Sequence, residues 1–245
     1  MKKVLGIRLI GGLVGVFAVF QWTAATLESN RGEYGVAVGL VVVAAILFVQ
    51  RVLFCSSVTE AALSLGLGLP NARSIAVTAV ICILMFSSFL LFVYQTESSF
   101  SFYPGWQGLV PGLFFQAGIA EETLFRGYLF GHMRQRYTFW KAAIFAAAPF
   151  TAVHLILFFS LDWALAAASI LLSVAISFPL SKLFELGGRT IWAPAILHFV
   201  VQAIPKLIVF EGGEGATFPL VWIGTALFLS FLVFLVPARE NEVVQ

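Results

Sequence analysis

Residues Ser74–Tyr94 read SIAVTAVICILMFSSFLLFVY, a run of 21 residues without a charge. A bilayer hydrocarbon core of ~30 Å is crossed by about 20 apolar residues in a helix, so this stretch alone predicts a membrane span. The remainder of the chain has the same character. Of its 245 residues 60% are hydrophobic and only 11% charged, with a formal net charge of +2. Globular domains carry roughly 25% charged residues, and a water-soluble fold of this length would lack the polar surface to cover itself. The composition excludes a nucleic-acid binder, which needs a basic field, and a disordered acidic chain. It also excludes a disulfide scaffold, since the two cysteines, Cys55 and Cys82, fall in apolar runs and read as small hydrophobes.

Cutting the sequence at its polar and Gly/Pro punctuation predicts eight spans, at Val4–Ala25, Tyr34–Cys55, Ser74–Tyr94, Gly105–Gly131, Phe139–Ser160, Leu161–Phe184, Thr190–Phe210 and Phe218–Val236. The fifth and sixth are separated only by Ser160-Leu161-Asp162, which predicts an antiparallel hairpin. The expected fold is therefore all-α: a polytopic membrane bundle of about eight helices. It is read as one domain over residues 1–245, with the polar, motif-bearing core at about 105–210. No repeat or linker interrupts it.

Cations concentrate in cytoplasmic loops. With the N-terminus inside, Lys2, Lys3, Arg8, Arg51, Arg73, Arg134, Arg136, Lys141, Lys182, Arg189 and Arg239 fall on the cytoplasmic side, and only Arg31 and Lys206 on the other. Arg126 lies within a span. Glu28, Glu33, Glu97, Asp162, Glu211 and Glu214 lie mainly in the opposite loops. This predicts a multi-pass plasma-membrane protein, bacterial in character, with both termini cytoplasmic. A rival reading takes Lys2-Lys3, the first apolar run and Thr23-Ala24-Ala25 as a secretory signal, but the run is long for that purpose.

Ionisable groups inside spans cost at least ~2.5 kcal/mol each on insertion scales and normally face a cavity or a partner. Here they are Glu121, Glu122 and Arg126 in span 4, His154 in span 5 and His198 in span 7, followed one turn later by Gln202. Glu122 precedes Arg126 by four residues, the favoured direction for a helical ion pair. Glu121 projects about 100° away and has no local cation. His198 and Gln202 share a helix face. Counted from the cytoplasmic cations at ~1.5 Å per residue, Glu121, His154 and His198 lie at roughly 20, 20 and 14 Å, so one cavity can hold them all.

Two chemistries fit these groups. In a metal-free hydrolase, Glu121 takes a proton from water oriented with His154, and donors from His198 and Gln202 hold the oxyanion. In a zinc hydrolase, Glu121, His154 and His198 bind the metal, although no local His-x-x-x-His or HExxH spacing supports it. A transporter with the same cluster as a proton relay is a third possibility; against it, no paired interrupted helices recur in the two halves.

Ala120-Glu121-Glu122-Thr123-Leu124-Phe125-Arg126 fits EExxxR, Phe150-Thr151-Ala152-Val153-His154 fits FxxxH, and His198-Phe199-Val200-Val201-Gln202 approximates HxxxN/D. In this order the set resembles the CPBP (CaaX protease and bacteriocin-processing, or Abi) family of intramembrane endopeptidases, over about Gln116 to Gln202. The resemblance implies a helical bundle with an intramembrane cavity and hydrolysis of a peptide bond in a membrane-associated protein or peptide. It implies Glu121 as general base, His154 as helper, His198 and Gln202 as oxyanion hole, Glu122–Arg126 as structural ion pair and Phe150 as support. It also implies no cofactor, zinc being the alternative, and as partners only the lipid bilayer and the peptide substrate, without nucleic acid. The departure is Gln202 where the family has Asn or Asp, which keeps open a non-catalytic relative acting as a scaffold or bacteriocin-immunity protein.

His132 lies among cations at a span end and reads as interfacial. Trp106, Trp140, Trp163, Trp192 and Trp222 near span ends read as an aromatic belt.

Overall fold

A computed structural model of the chain describes residues 2–27, 31–54, 57–211, 215 and 217–237, with side chains from residue 6 onward. Cys55, Glu28, Glu214 and Arg239 lie outside the described residues. The fold is an all-α membrane bundle. Its helices begin with α1 (Lys2–Thr26), α2 (Gly35–Phe54), the short α3 (Val58–Ser64) and α4 (Ala72–Gln95). A composite helix over residues 106–134 follows, opening as α5 (Trp106–Leu113) and ending as α6 (Gly131–Arg134). Then come α7 (Phe139–His154), α8 (Trp163–Leu186), α9 (Trp192–Leu207) and α10 (Phe218–Ser230). The outer surface is apolar, with Phe48, Ile83 and Phe228 exposed, the inverse of a soluble protein and the pattern lipid requires.

Six helical stretches are long and apolar enough to cross a bilayer: Gly6–Thr26, Gly35–Phe54, Ala72–Gln95, Phe139–Phe159, Trp163–Leu186 and Phe218–Leu235. They coincide with predicted spans 1, 2, 3, 5, 6 and 8. Predicted spans 4 and 7 are helical too but are not among them, and both carry polar side chains of the motifs. The second of these, α9, is only 16 residues long.

Local chemistry sets the boundaries. Asp162 caps α8, its Oδ1 accepting from the amides of Ala164 and Leu165 at 2.9 and 3.4 Å, which fixes the predicted hairpin turn between α7 and α8. Asn71 caps α4 in the same way. Ser57 and Glu60 close a capping box on α3, a helix the span count missed because it is only 7 residues long.

The bundle has two distinct ends. At one, Arg134 pairs with Glu185, Arg189 Nη2 donates to the Gly131 carbonyl at 3.0 Å, the Trp192 indole donates to the Gly68 carbonyl at 2.6 Å, and Arg73 Nη2 donates to the Pro237 carbonyl at 2.6 Å. At the other, β1 (Ser99–Phe102) pairs antiparallel with β2 (Ile208–Glu211), Ser99 opposite Glu211 and Phe102 opposite Ile208, and Arg31 lies 4.1 Å over the Tyr103 ring. The loops grouped on one side by their cations thus meet at one end, and Arg31 stands at the other.

Helix α1 is built into this bundle. Leu9, Val16 and Phe20 are buried in the main core, and the Tyr128 hydroxyl contacts the Leu9 carbonyl at 3.3 Å.

Candidate active site

The 106–134 helix carries the first motif. It is not uniformly α-helical: residues Phe114–Ala120 and Thr123–Phe130 form π-helical stretches flanking Glu121 and Glu122. Such widened turns are frequent at functional sites. Depth counted at a constant α-helical rise therefore holds only approximately here. Two glycines bring the helix against neighbouring backbone: a Cβ at Gly118 would lie 3.0 Å from the Ala195 carbonyl of α9, and one at Gly127 would overlap the Leu65 carbonyl. Small residues at close helix approaches are the usual means of packing in a membrane.

Glu122 and Arg126 form the expected ion pair. Glu122 Oε1 lies 2.8 Å from Arg126 Nη1, with side chains 0% and 1% exposed. Arg126 Nη2 also reaches the Ser177 hydroxyl of α8 at 3.3 Å, and its guanidinium sits 4.6 Å from the Phe150 ring centroid. The same Glu122 oxygen has a second partner, which is not apparent from the sequence: His198 Nδ1 at 2.7 Å. A carboxylate only accepts, so Nδ1 carries the proton and donates. The pair therefore also fixes the ring of His198 and leaves Nε2 as its working nitrogen.

Around Nε2 stand the other motif residues. The Gln202 amide lies 3.4 Å away and Glu121 Oε2 lies 3.9 Å away, the Glu121 side chain being 14% exposed. Gln202 is thus long enough to keep its amide beside His198. His154 on α7 is held at Nδ1 by the Phe150 carbonyl, 2.7 Å away; a carbonyl accepts, so here too Nε2 is left free. Phe150 is buried between them, its ring 4.7 Å from that of His154, 5.7 Å from His198 and 4.9 Å from Phe125. It is the common packing partner of all three motifs.

Glu121, His154, His198 and Gln202 line one cavity of about 820 Å³. Its walls come from α1, the 106–134 helix, α7, α8, α9 and α10, and its far side is apolar, with Phe17, Phe20, Leu165 and Leu172 among its residues. Lys206 and Gln116 are among the polar lining residues that the sequence did not place at the site. Lys206 reads in the sequence as a loop cation but belongs to the last turn of α9 and faces the cavity; Gln116 lies one π turn before Glu121, and its Oε1 is buried without a hydrogen-bond partner. The signal for Lys206 was present in its spacing, four residues after Gln202 and eight after His198.

Two expectations change. Trp222 is no belt residue: it is 2% exposed and donates to the Val201 carbonyl at 2.9 Å, bracing α9 from α10. His132 is buried at the Arg-rich end against Phe54, with Nδ1 on the Tyr128 carbonyl at 2.7 Å, and does not line the cavity.

Among the described residues no group of three or more His, Cys, Asp or Glu side chains is placed to hold one metal ion. His198 Nδ1 is occupied by Glu122, and its Nε2 approaches Glu121 no closer than 3.9 Å. The zinc set of Glu121, His154 and His198 is not such a group.

Fold and site together define a helical membrane protein with a carboxylate–histidine cavity inside its bundle. Residues 104–204 match the family model described as type II CAAX prenyl endopeptidase Rce1-like. The match covers the segment that resembles the CPBP family, and all the motif residues fall inside it. No curated protein and no solved structure matches the chain.

Proposed function

We propose that the chain is an intramembrane endopeptidase that hydrolyses a peptide bond of a membrane-associated protein or peptide, with Glu121 as general base. The observation that carries this reading is the division of labour between adjacent carboxylates. Glu122 is committed to Arg126 and His198, whereas Glu121 opens on the cavity without a hydrogen-bond partner among the described residues, beside two histidines whose Nδ1 atoms are engaged elsewhere.

In the resting site the Gln202 amide donates to Nε2 of a neutral His198. A water between Glu121 and His154 Nε2 gives its proton to Glu121, and the resulting hydroxide attacks the carbonyl carbon. The oxyanion is received by the second N–H of the Gln202 amide, whose first N–H is held by His198 Nε2, while the Glu122 carboxylate fixes the His198 ring through Nδ1–H. Glu121 returns the proton it took to the departing amine as the C–N bond breaks. Donors aimed at developing charge in a water-poor cavity are the largest single contribution in such reactions, and the apolar walls keep the local dielectric low.

Within the same reading the chain sits in a bacterial plasma membrane, the Arg-rich end in the cytoplasm, and uses no cofactor. The test is cleavage of a peptide library by the detergent-purified full chain, beside Glu121→Gln. Loss of a general base should lower turnover by roughly 10²–10⁴-fold at unchanged thermal stability and membrane insertion. Wild-type turnover by Glu121→Gln would refute the base assignment, and turnover abolished by 1,10-phenanthroline and restored by zinc would refute the metal-free mechanism.

A further inference from the structure

The cavity is one-sided. Its walls run out to the helix ends nearest β1 and β2: Ala25 closes α1, Leu165 opens α8, Pro205 lies in the last turn of α9, which leads into β2, and Pro219 lies in the first turn of α10, which follows β2. Towards the Arg-rich end the lining stops at Phe125 on the 106–134 helix and at Ile176 on α8. Each stands nine residues, or roughly 13 Å of helix, short of the Arg134–Glu185 pair that marks that end. The interval is filled among the described residues by Tyr128, Phe130, Leu183 and Phe184, all 0% exposed and none lining the cavity. The Phe130 and Phe184 rings meet there at 6.0 Å. This layer is a packed floor beneath Glu121 and His198, and it separates them from the Arg-rich end.

We propose that the site draws both its water and its peptide from the face opposite the Arg-rich end, so that its substrates are apolar polypeptide segments presented at the outer surface of the plasma membrane. The assignment rests on the protease reading above, with the Arg-rich end in the cytoplasm. That orientation follows from where the cations meet. Arg8 Nη1 donates to the Leu53 carbonyl at 3.3 Å, joining the start of α1 to the end of α2, at the end that also holds Arg73, Arg134 and Arg189. Cations gathered at one end of a bundle mark the cytoplasmic side. From Pro205 at the mouth to His198 is seven residues of α9, roughly 10 Å. An extended peptide advances about 3.3 Å per residue, so a bond reaches the site once about three residues have entered. An exported peptide, or the outer flank of a membrane protein, can supply them without crossing the bilayer. A cytoplasmic tail would have to pass the packed floor.

Sidedness is read with single cysteines in a full-length chain whose Cys55 and Cys82 are replaced by Ala. Ser169→Cys and Leu165→Cys each place a thiol in the cavity wall, Ser101→Cys marks exposed β1, and Arg136→Cys marks the exposed Arg-rich end. Each variant meets an anionic methanethiosulfonate, whose charge keeps it from crossing the bilayer, in right-side-out and in inside-out vesicles from the same bacterial cells. The cavity thiols should be modified together with Ser101→Cys in right-side-out vesicles and lose their label in inside-out ones, where Arg136→Cys gains it. Cavity thiols that label with Arg136→Cys, or from neither side, overturn the proposal. So does labelling of Arg136→Cys in right-side-out vesicles, which would put the Arg-rich end outside. In parallel, vesicles of the wild type and of Glu121→Gln receive a library of apolar peptides tagged with a charged, impermeant fluorophore. Cleavage should be confined to right-side-out vesicles and lost in Glu121→Gln. Glu121-dependent cleavage in inside-out vesicles overturns the outer substrate and leaves the protease. Outward labelling with no cleavage in either preparation removes the protease, and the substrate with it, and leaves a cavity open to the outer face.

Discussion

Replacing Glu122 by Gln preserves the shape of the side chain while removing its charge, and the cost can be worked out from its neighbours. Arg126 is 1% exposed and has one carboxylate at 2.8 Å. Its other contacts, the Ser177 hydroxyl at 3.3 Å and the Phe150 ring at 4.6 Å, carry no charge. Breaking a buried ion pair from one side leaves the other charge uncompensated and costs about 3–5 kcal/mol, or roughly a hundred- to a thousandfold or more in the folding equilibrium. Arg126→Met should cost a similar amount, because it leaves the Glu122 carboxylate buried with only His198. The double variant Glu122→Gln/Arg126→Met leaves no buried charge from this pair, so it should lose less than either single variant. Unfolding of the purified protein in mixed micelles, titrated with SDS and followed by tryptophan fluorescence, supplies the four corners of the cycle. Additive losses in the double variant would refute the view that this pair is a coupled buried unit.

Two further outcomes follow from the site. Gln202→Asn should retain cleavage, because either amide can donate beside His198 Nε2, whereas Gln202→Ala should lose about 10²–10³-fold in kcat with little change in KM; equal activity of Ala and Gln variants in a steady-state assay removes Gln202 from the oxyanion hole. Gly127→Val places side-chain atoms on the Leu65 carbonyl and should destabilise by about 1–3 kcal/mol or more, with lowered turnover because the same helix carries Glu121; unchanged SDS unfolding would contradict the close approach.

The apolar runs made six spans legible, since stretches of 18–24 predominantly apolar residues have few other uses. The span-4 motif was legible because charge is scarce in this chain, and so was the pairing of Glu122 with Arg126, since a four-residue interval is a local property of a helix. What stayed hidden is what depends on packing between distant segments. The Glu122–His198 bond joins residues 76 apart in sequence, and no periodicity reports it. The π-helical widening around Glu121 depends on how the helix seats against α2 and α9, and residue spacing in the sequence does not register it. Strands β1 and β2 each have 4 residues and lie about a hundred positions apart, too short for an alternating pattern to be distinguished from the ends of spans. Lys206 was misplaced for a different reason: a cation near a span end satisfies the rule for loop charges, and only its phase with His198 and Gln202 separates it from them.

Under the proposed mechanism the motif needs both of its adjacent glutamates. A single carboxylate beside Arg126 and His198 would be held in a buried ion pair, accepting two donors on one oxygen, and would be a poor base because its charge is already compensated. A single carboxylate facing the cavity would leave Arg126 unpaired and His198 free to rotate, so the ring could not present a defined nitrogen to the Gln202 amide. Placed side by side on α-helical residues, the two side chains diverge by about 100°: one turns into the bundle, to Arg126 and His198, and the other into the cavity. The π stretches on either side then alter the helical phase of the flanking residues without changing that divergence. Exchange of roles between the two is prevented by geometry, because the side chain at 121 does not reach Arg126 at bonding distance and the one at 122 is fully buried. Glu121→Gln and Glu122→Gln should therefore fail in different assays, the first in turnover and the second in stability.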